Sequence, residues 1–218
     1  MKRRVGILIS GRGSNMMALI EAARAPHFPA DVVVVISNRP AAAGLALARA
    51  AQVKTLAIDH RQFASRESFD AAIDAALENE GVELVCQAGF MRIQAAPFAR
   101  RWLGRQLNIH PSLLPSFKGL EAHKQALQAG VRISGCTVHF VTPELDAGPI
   151  IAQAAVPVLA SDTPDTLAAR ILPVEHRLYP FALWLTATGR VRLEEGRVIL
   201  AASVNHTECL FSPAASFA

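Results

Sequence analysis

The sequence is poor in charge, in cysteine and in long apolar runs, and each shortage excludes a class of protein. Charged residues make up only 18% of the 218 positions while 51% are hydrophobic, so the chain has ample material for a buried core and is not a disordered polar chain. Its three cysteines, Cys86, Cys136 and Cys209, are odd in number, far apart and without a CxxC pair, which argues against a disulfide framework and against a zinc site. The histidines form no HxxxH pair, so no metal is expected. No apolar stretch approaches the roughly 20 residues that cross a bilayer. Lys2, Arg3 and Arg4 begin like a secretion signal, but the apolar stretch that follows is only Val5 to Ile9 before it breaks at Ser-Gly-Arg-Gly. No membrane association is expected, and the cytoplasm is the default. The net charge of +4 comes from scattered basic residues. Without a basic stripe interleaved with aromatics, nucleic acid is not expected as a partner, whereas a mild positive bias suits small anionic ligands. There is no Gly-Lys-Ser/Thr of a P-loop and no Gly-x-Ser-x-Gly elbow of a serine hydrolase.

What is present is an alternation of short apolar runs and helical patterns. Val5–Ile9, Asp31–Ile36, Thr55–Ile58, Val82–Gln87 and Gln106–Ile109 read as strands. Between them lie helical stretches over Asn15–Arg24 (Met17, Ile20 and Ala23 on one face), Ala42–Ala51 and Arg66–Glu80 (Phe69, Ile73, Ala76 and Leu77 on one side). Continuous apolar strands separated by helices indicate a parallel sheet covered on both faces, that is, a doubly wound α/β fold. Gly135–Val141 and Pro149–Val158 read as longer strands that extend the sheet, with room for an antiparallel member. Thr163 and Pro164 look like a cap and first turn of a helix reaching Ala187, with a kink or break expected at Pro173 and Pro180. Leu193–Ala202 reads as a hairpin around Glu195-Gly196, and the tail from Asn205 to Ala218 has no periodicity.

Three stretches can carry chemistry. Ser10–Asn15 (SGRGSN) follows the first strand and opens a helix, so its glycines and free helix N–H groups suit a phosphate. It departs from the dinucleotide fingerprint at Met16, and no acidic residue ends the second strand; a merely structural tight turn is the alternative. Asn108 and His110 are two apart on a strand and share a face, at the end where open parallel sheets place ligands. An amide beside an imidazole fits acyl transfer, with the amide on an oxyanion and the histidine moving protons; a histidine that only caps the strand is the alternative. The turn Thr142–Pro149 offers Glu144 or Asp146 as a carboxylate to orient His110, or an aspartate that only stabilises the turn. His139 reads as a core residue or one that supports the site from behind.

These motifs together resemble the folate-dependent phosphoribosylglycinamide formyltransferases. The resemblance rests on Ile9–Asn15 (ISGRGSN), Ala88–Ile93 (AGFMRI), Leu107–Pro115 (LNIHPSLLP), Gly135–Val141 (GCTVHFV), Glu144–Pro149 (ELDAGP) and Glu175-His176, in family order along nearly the whole chain. It implies a Rossmann-like formyltransferase fold in a single domain. Residues 1–105 would form a mononucleotide-binding half and 106–190 a catalytic half, with 191–218 a hairpin and tail. It implies 10-formyltetrahydrofolate as cosubstrate, no metal, phosphoribosylglycinamide as the other small-molecule substrate, and a monomer or homodimer. Asn108, His110 and Asp146 match the catalytic trio. Gly13, Ser14 and Asn15 match the loop that holds the substrate phosphate, and Glu175 a ribose contact. Arg66, Met91, Arg92, Ile93, Gln94 and Asn108 match the folate side. Gln94 stands where members often carry leucine, which implies a more polar edge to that pocket. Leu172 and Val174 replace polar residues expected near the substrate. Residues 111–130 resemble a mobile loop, with which Pro115 and Gly119 are compatible.

The implied reaction is direct attack of the ribonucleotide amine on the formyl carbon, through a tetrahedral intermediate stabilised by Asn108 and protonated His110. Related activities are the nearest rivals. A methionyl-tRNA enzyme would carry a further C-terminal domain, and a formyltetrahydrofolate hydrolase an N-terminal regulatory domain. The expectation is neither, since strand one begins at Val5 and only a hairpin and tail follow residue 187. A non-catalytic nucleotide- or folate-binding module is the rival from another class.

Overall fold

The computed structural model describes residues 1–203 and Ser212. Seven strands form one sheet: β1 (Arg3–Ile9), β2 (Ala30–Ser37), β3 (Lys54–Ala57), β4 (Leu84–Gln87), β5 (Gln106–His110), β6 (Ile133–Phe140) and β7 (Ile150–Pro157). Their order across the sheet is β3-β2-β1-β4-β5-β6-β7. The first five are parallel, β6 runs antiparallel to β5, and β7 antiparallel to β6. Among the described residues six α-helices accompany them: α1 (Ser14–Ala23), α2 (Ala43–Ala50), α3 (Arg66–Asn79), α4 (Ala96–Arg101), α5 (Ala122–Gln128) and α6 (Pro164–Ala187). The hairpin pairs β8 (Val191–Glu194) with β9 (Arg197–Leu200). The doubly wound α/β architecture read from the alternation is the one observed. Residues 204–211 and 213–218, which include His206, Cys209 and most of the aperiodic tail, lie outside the described residues.

Strand periodicity sorts the core into two layers. Val5, Ile7 and Ile9 of β1 pack with α1, α2 and α6 on one side, while Leu8 packs with α3 and α4 on the other. Alternation continues on β4, where Leu84 and Cys86 join the first layer and Val85 the second, as a period of two requires. Gly6 faces the second layer, where an added Cβ would stand 2.5 Å from a methyl of Leu77. Winding reverses between β1 and β4, the place where such sheets open a crevice at their C-terminal edge.

Helix α6 is not broken at its prolines. It runs through Pro173 and Pro180 for 24 residues. Its buried face, including Leu167, Ile171, Leu178, Tyr179, Ala182 and Leu183, packs along the sheet, while Pro173 is exposed and Pro180 half-buried. Burial of that stripe outweighs the hydrogen bonds two prolines remove. Its start is the capped Thr163 expected: the Thr163 hydroxyl accepts from Thr166 N. Helices α4 and α5 have no counterpart in the sequence reading, and on α1 it is Met16, not Met17, that is fully buried.

The single tyrosine joins two layers. Tyr179 is fully buried, and its hydroxyl donates to the carbonyls of Gln87 at 2.9 Å and Leu107 at 3.1 Å. Those carbonyls belong to the last residue of β4 and the second residue of β5, so one hydroxyl ties α6 to the strands that carry the site. Replacing Tyr179→Phe keeps the ring and strands both carbonyls. The expected cost is about 1–3 kcal/mol, read as a lower denaturation midpoint with an unchanged m-value.

Candidate active site

The glycine loop expected to suit a phosphate closes β1 and opens α1. Gly13 caps α1 with φ 78° and no side-chain cap bond, a left-handed conformation that favours glycine and leaves the first N–H groups of the helix to a ligand. Ser10 holds the loop in place. Its hydroxyl donates to Asn38 Oδ1 at 2.6 Å and accepts from Met91 N at 2.7 Å, so the ends of β1, β2 and β4 share one side chain. Ser14 is exposed in the first turn of α1. Asn15 Nδ2 donates to Glu175 Oε2 at 2.7 Å, and Asn15 Oδ1 is buried with no partner among the described residues. The structure thus brings α6 to the α1 loop. Burial pushes the Glu175 carboxyl above the usual glutamate range, with the Asn15 hydrogen bond opposing.

The trio meets at the end of β5. Asn108 and His110 lie on the face opposite Leu107 and Ile109, which join the first core layer. His110 Nδ1 stands 3.5 Å from Asp146 Oδ2, with both side chains nearly enclosed. His110 Nε2 donates to the carbonyl of Phe117 at 2.9 Å. Both ring nitrogens therefore face oxygen acceptors, and an imidazolium with an N–H on each nitrogen matches both. Of the two carboxylates offered by the turn, Asp146 reaches His110; Glu144 is exposed. Asp146 sits at φ 47°, an uncommon conformation for a residue with a Cβ, and Oδ2 accepts from Gly119 N at 2.9 Å. Gly148 allows the turn to fold back, because a Cβ there would collide with the Phe140 carbonyl oxygen.

His139 has a fuller part than the sequence suggested. It lies opposite Asn108 in the β5–β6 register. Burial lowers its pKa, against the Phe140 carbonyl and the Asp146 charge. The neutral ring donates from Nδ1 to Phe140 O at 2.9 Å, which leaves Nε2 to accept from Asn108 Nδ2 at 3.2 Å. That bond fixes which end of the Asn108 amide carries the donors. The signal was a strand pairing, invisible until β6 is known to turn back beside β5.

The residues matched to a folate site divide into two groups. Arg92, Ile93, Gln94 and Asn108 line one crevice with His139 and Asp146. Met91 and Ile93 present exposed apolar side chains on the connection after β4. Arg66, the first residue of α3, is not among the residues lining that crevice; its link is through Asp70, whose carboxylate feels the charges of both Arg66 and Arg92. Leu172 is partly exposed on α6, and Val174 packs against the core.

Comparison with known proteins agrees with this geometry. The family model described as formyl transferase matches residues 3–183. The chain is 54% identical over 198 residues to the trifunctional purine biosynthetic protein adenosine-3 of Bos taurus, covering 90% of this chain and 20% of that protein. The chain therefore spans about a fifth of the length of that relative. It is 43% identical to the phosphoribosylglycinamide formyltransferase of Escherichia coli (strain K12), covering 87% of this chain and 89% of that one. The crystal structure of glycinamide ribonucleotide transformylase 1 from Symbiobacterium toebii superposes with a TM-score of 0.89 at 51% identity, covering 92% and 94% of the two chains. With a family model matched over most of its length and a site of this construction, the chain belongs to the formyl transferase family.

Proposed function

We propose that the chain transfers the formyl group of 10-formyltetrahydrofolate to the amine of phosphoribosylglycinamide, a step of de novo purine biosynthesis carried out in the cytoplasm. The observation that carries this reading is that Asn108 and Asp146 line one crevice, with His110 Nδ1 3.5 Å from Asp146 Oδ2 and His139 setting the Asn108 amide. Relatives of matching length are named for the same reaction.

Each residue has a physical task. The amine attacks the formyl carbon, the carbonyl π pair moves to oxygen, and the tetrahedral oxyanion needs donors. Asn108 supplies one from the Nδ2 that His139 orients, and His110 a second once Nε2 leaves the Phe117 carbonyl. Asp146 balances the imidazolium. Collapse of the intermediate breaks the bond to the folate nitrogen, which takes a proton in exchange for the one the amine loses. The α1 loop, with Gly13, Ser14 and Asn15, takes the phosphate, and Glu175 the ribose hydroxyls. Met91, Arg92, Ile93, Gln94 and Arg66 serve the folate side, the apolar pair covering a flat ring. Purified protein given formylfolate and the ribonucleotide should release deformylated folate only when the amine is present. Release without it would make water the acceptor and the chain a hydrolase, and binding of either ligand without transfer would make it a binding module.

Two substitutions test the assignment. His110→Ala and Asp146→Asn should each lower kcat about 100-fold or more, the usual loss when an oxyanion donor or its support is removed; near wild-type turnover in either would sink the mechanism. Glu175→Gln tests the ribose end. The folded-state pKa of Glu175 is raised, so the wild type loses stability as pH climbs from the unfolded value through the folded one. Glu175→Gln should thus be the more stable protein at about pH 7, with the gap closing towards about pH 4. Its KM for the ribonucleotide should rise about tenfold, because a charged acceptor is exchanged for a neutral one.

A further inference from the structure

Three buried glutamines meet beside the trio. Gln87, Gln94 and Gln106 are 8%, 7% and 0% exposed. Gln87 lies opposite Asn108 in the β4–β5 register, and Gln106 is two residues before Asn108 on β5, so both side chains share the face that carries the trio. Gln87 Nε2 and Gln106 Nε2 both donate to Gln94 Oε1, at 2.6 and 2.5 Å. The Gln94 oxygen is therefore saturated. Turning the Gln94 amide alone would set its N–H groups against those of both neighbours. Gln94 Nε2, in contrast, is buried with no partner among the described residues, and such omissions are uncommon in folded proteins because each is costly. Gln106 Oε1 is also without a partner, but that side chain is sealed, whereas Gln94 lines the crevice with Asn108 and Asp146.

An apolar trio would fill the same volume with no unmade hydrogen bonds. A network that fixes one amide and leaves its donor end unused beside a crevice is suited to a ligand that brings an acceptor. We propose that Gln94 is a specificity-determining residue that donates from Nε2 to an acceptor, a ring nitrogen or carbonyl oxygen, on the fused-ring end of the formyl donor, with Gln87 and Gln106 holding it in position. This deepens the formyl-transfer reading and rests on it for the identity of the ligand. Exposed Met91 and Ile93 on the adjoining connection suit the apolar face of the same ring.

The test compares the full-length wild type with two variants, by calorimetric binding of tetrahydrofolate, by steady-state kinetics and by thermal unfolding. Gln94→Glu keeps an oxygen for both neighbours and puts an acceptor where the N–H stood. The triple variant Gln87→Leu, Gln94→Leu, Gln106→Leu removes the network as a unit and should fold with a midpoint no lower than the wild type. Both should bind tetrahydrofolate about five- to tenfold more weakly, the worth of one neutral hydrogen bond. The loss should be larger in donor KM than in kcat, with the ribonucleotide KM little moved. A folded variant of either kind that holds tetrahydrofolate within about twofold of wild type would reduce the network to a structural one and overturn the proposal. Because binding is read apart from turnover, a wild type that binds folate without transferring formyl would defeat the reaction assignment and leave Gln94 standing; a wild type that binds no folate would defeat both.

Discussion

A nearly enclosed carboxylate organises the end of the molecule that holds the candidate site. Asp146 is enclosed beside two imidazoles and the Gly119 N–H, and a charge taken from water must find compensating groups nearby. That demand draws together three segments distant in the sequence. His110 arrives at the end of β5, His139 on β6, and the connection through Phe117 and Gly119 folds back over both. The left-handed backbone at Asp146 and the close approach at Gly148 are the local strain that puts the carboxylate there, at a cost of about 1 kcal/mol or more.

The second constraint is the pleat. One face of β4, β5 and β6 packs the first core layer through Cys86, Leu107, Ile109, Val138 and Phe140. The other face turns polar at Gln87, Gln106, Asn108, His110 and His139, of which Gln87, Asn108 and His139 line the crevice. A period of two lets the same strands anchor a core and build a site without compromise between them. The polar face is enclosed, so its groups satisfy one another: Asn108 with His139, and the three glutamines among themselves. Such a network is rigid when complete, and of its two atoms without a partner among the described residues Gln94 Nε2 belongs to a residue that lines the crevice while Gln106 Oε1 is sealed.

Legibility from sequence followed the strength of the local signal. The strands and long helices carry sustained periodicity, and the glycine loop after β1 declares itself by composition. Helices α4 and α5 are six and seven residues long, too short for a hydrophobic period to register. Pro173 and Pro180 looked like breaks because local propensity disfavours them, and tertiary burial of the α6 face overrode that preference. Asn108 and His110 were legible as a same-face pair. Spacing alone left Asp146 and Glu144 open, since both sit in a turn whose path depends on β6 and β7, and it was the family resemblance that pointed to Asp146.

The sequence by itself determined the doubly wound class, the order of its elements, the glycine loop at the start of α1, and the pairing of an amide with an imidazole on one strand face. These follow from spacing along a single segment. Only the tertiary structure decided that Asp146 faces His110, that His139 sets the Asn108 amide, that Glu175 reaches Asn15, and that Gln87 and Gln106 saturate the oxygen of Gln94. Each of those contacts joins different elements of the fold. Its distance is fixed by strand register and by how the helices lie on the sheet, quantities that no local periodicity contains.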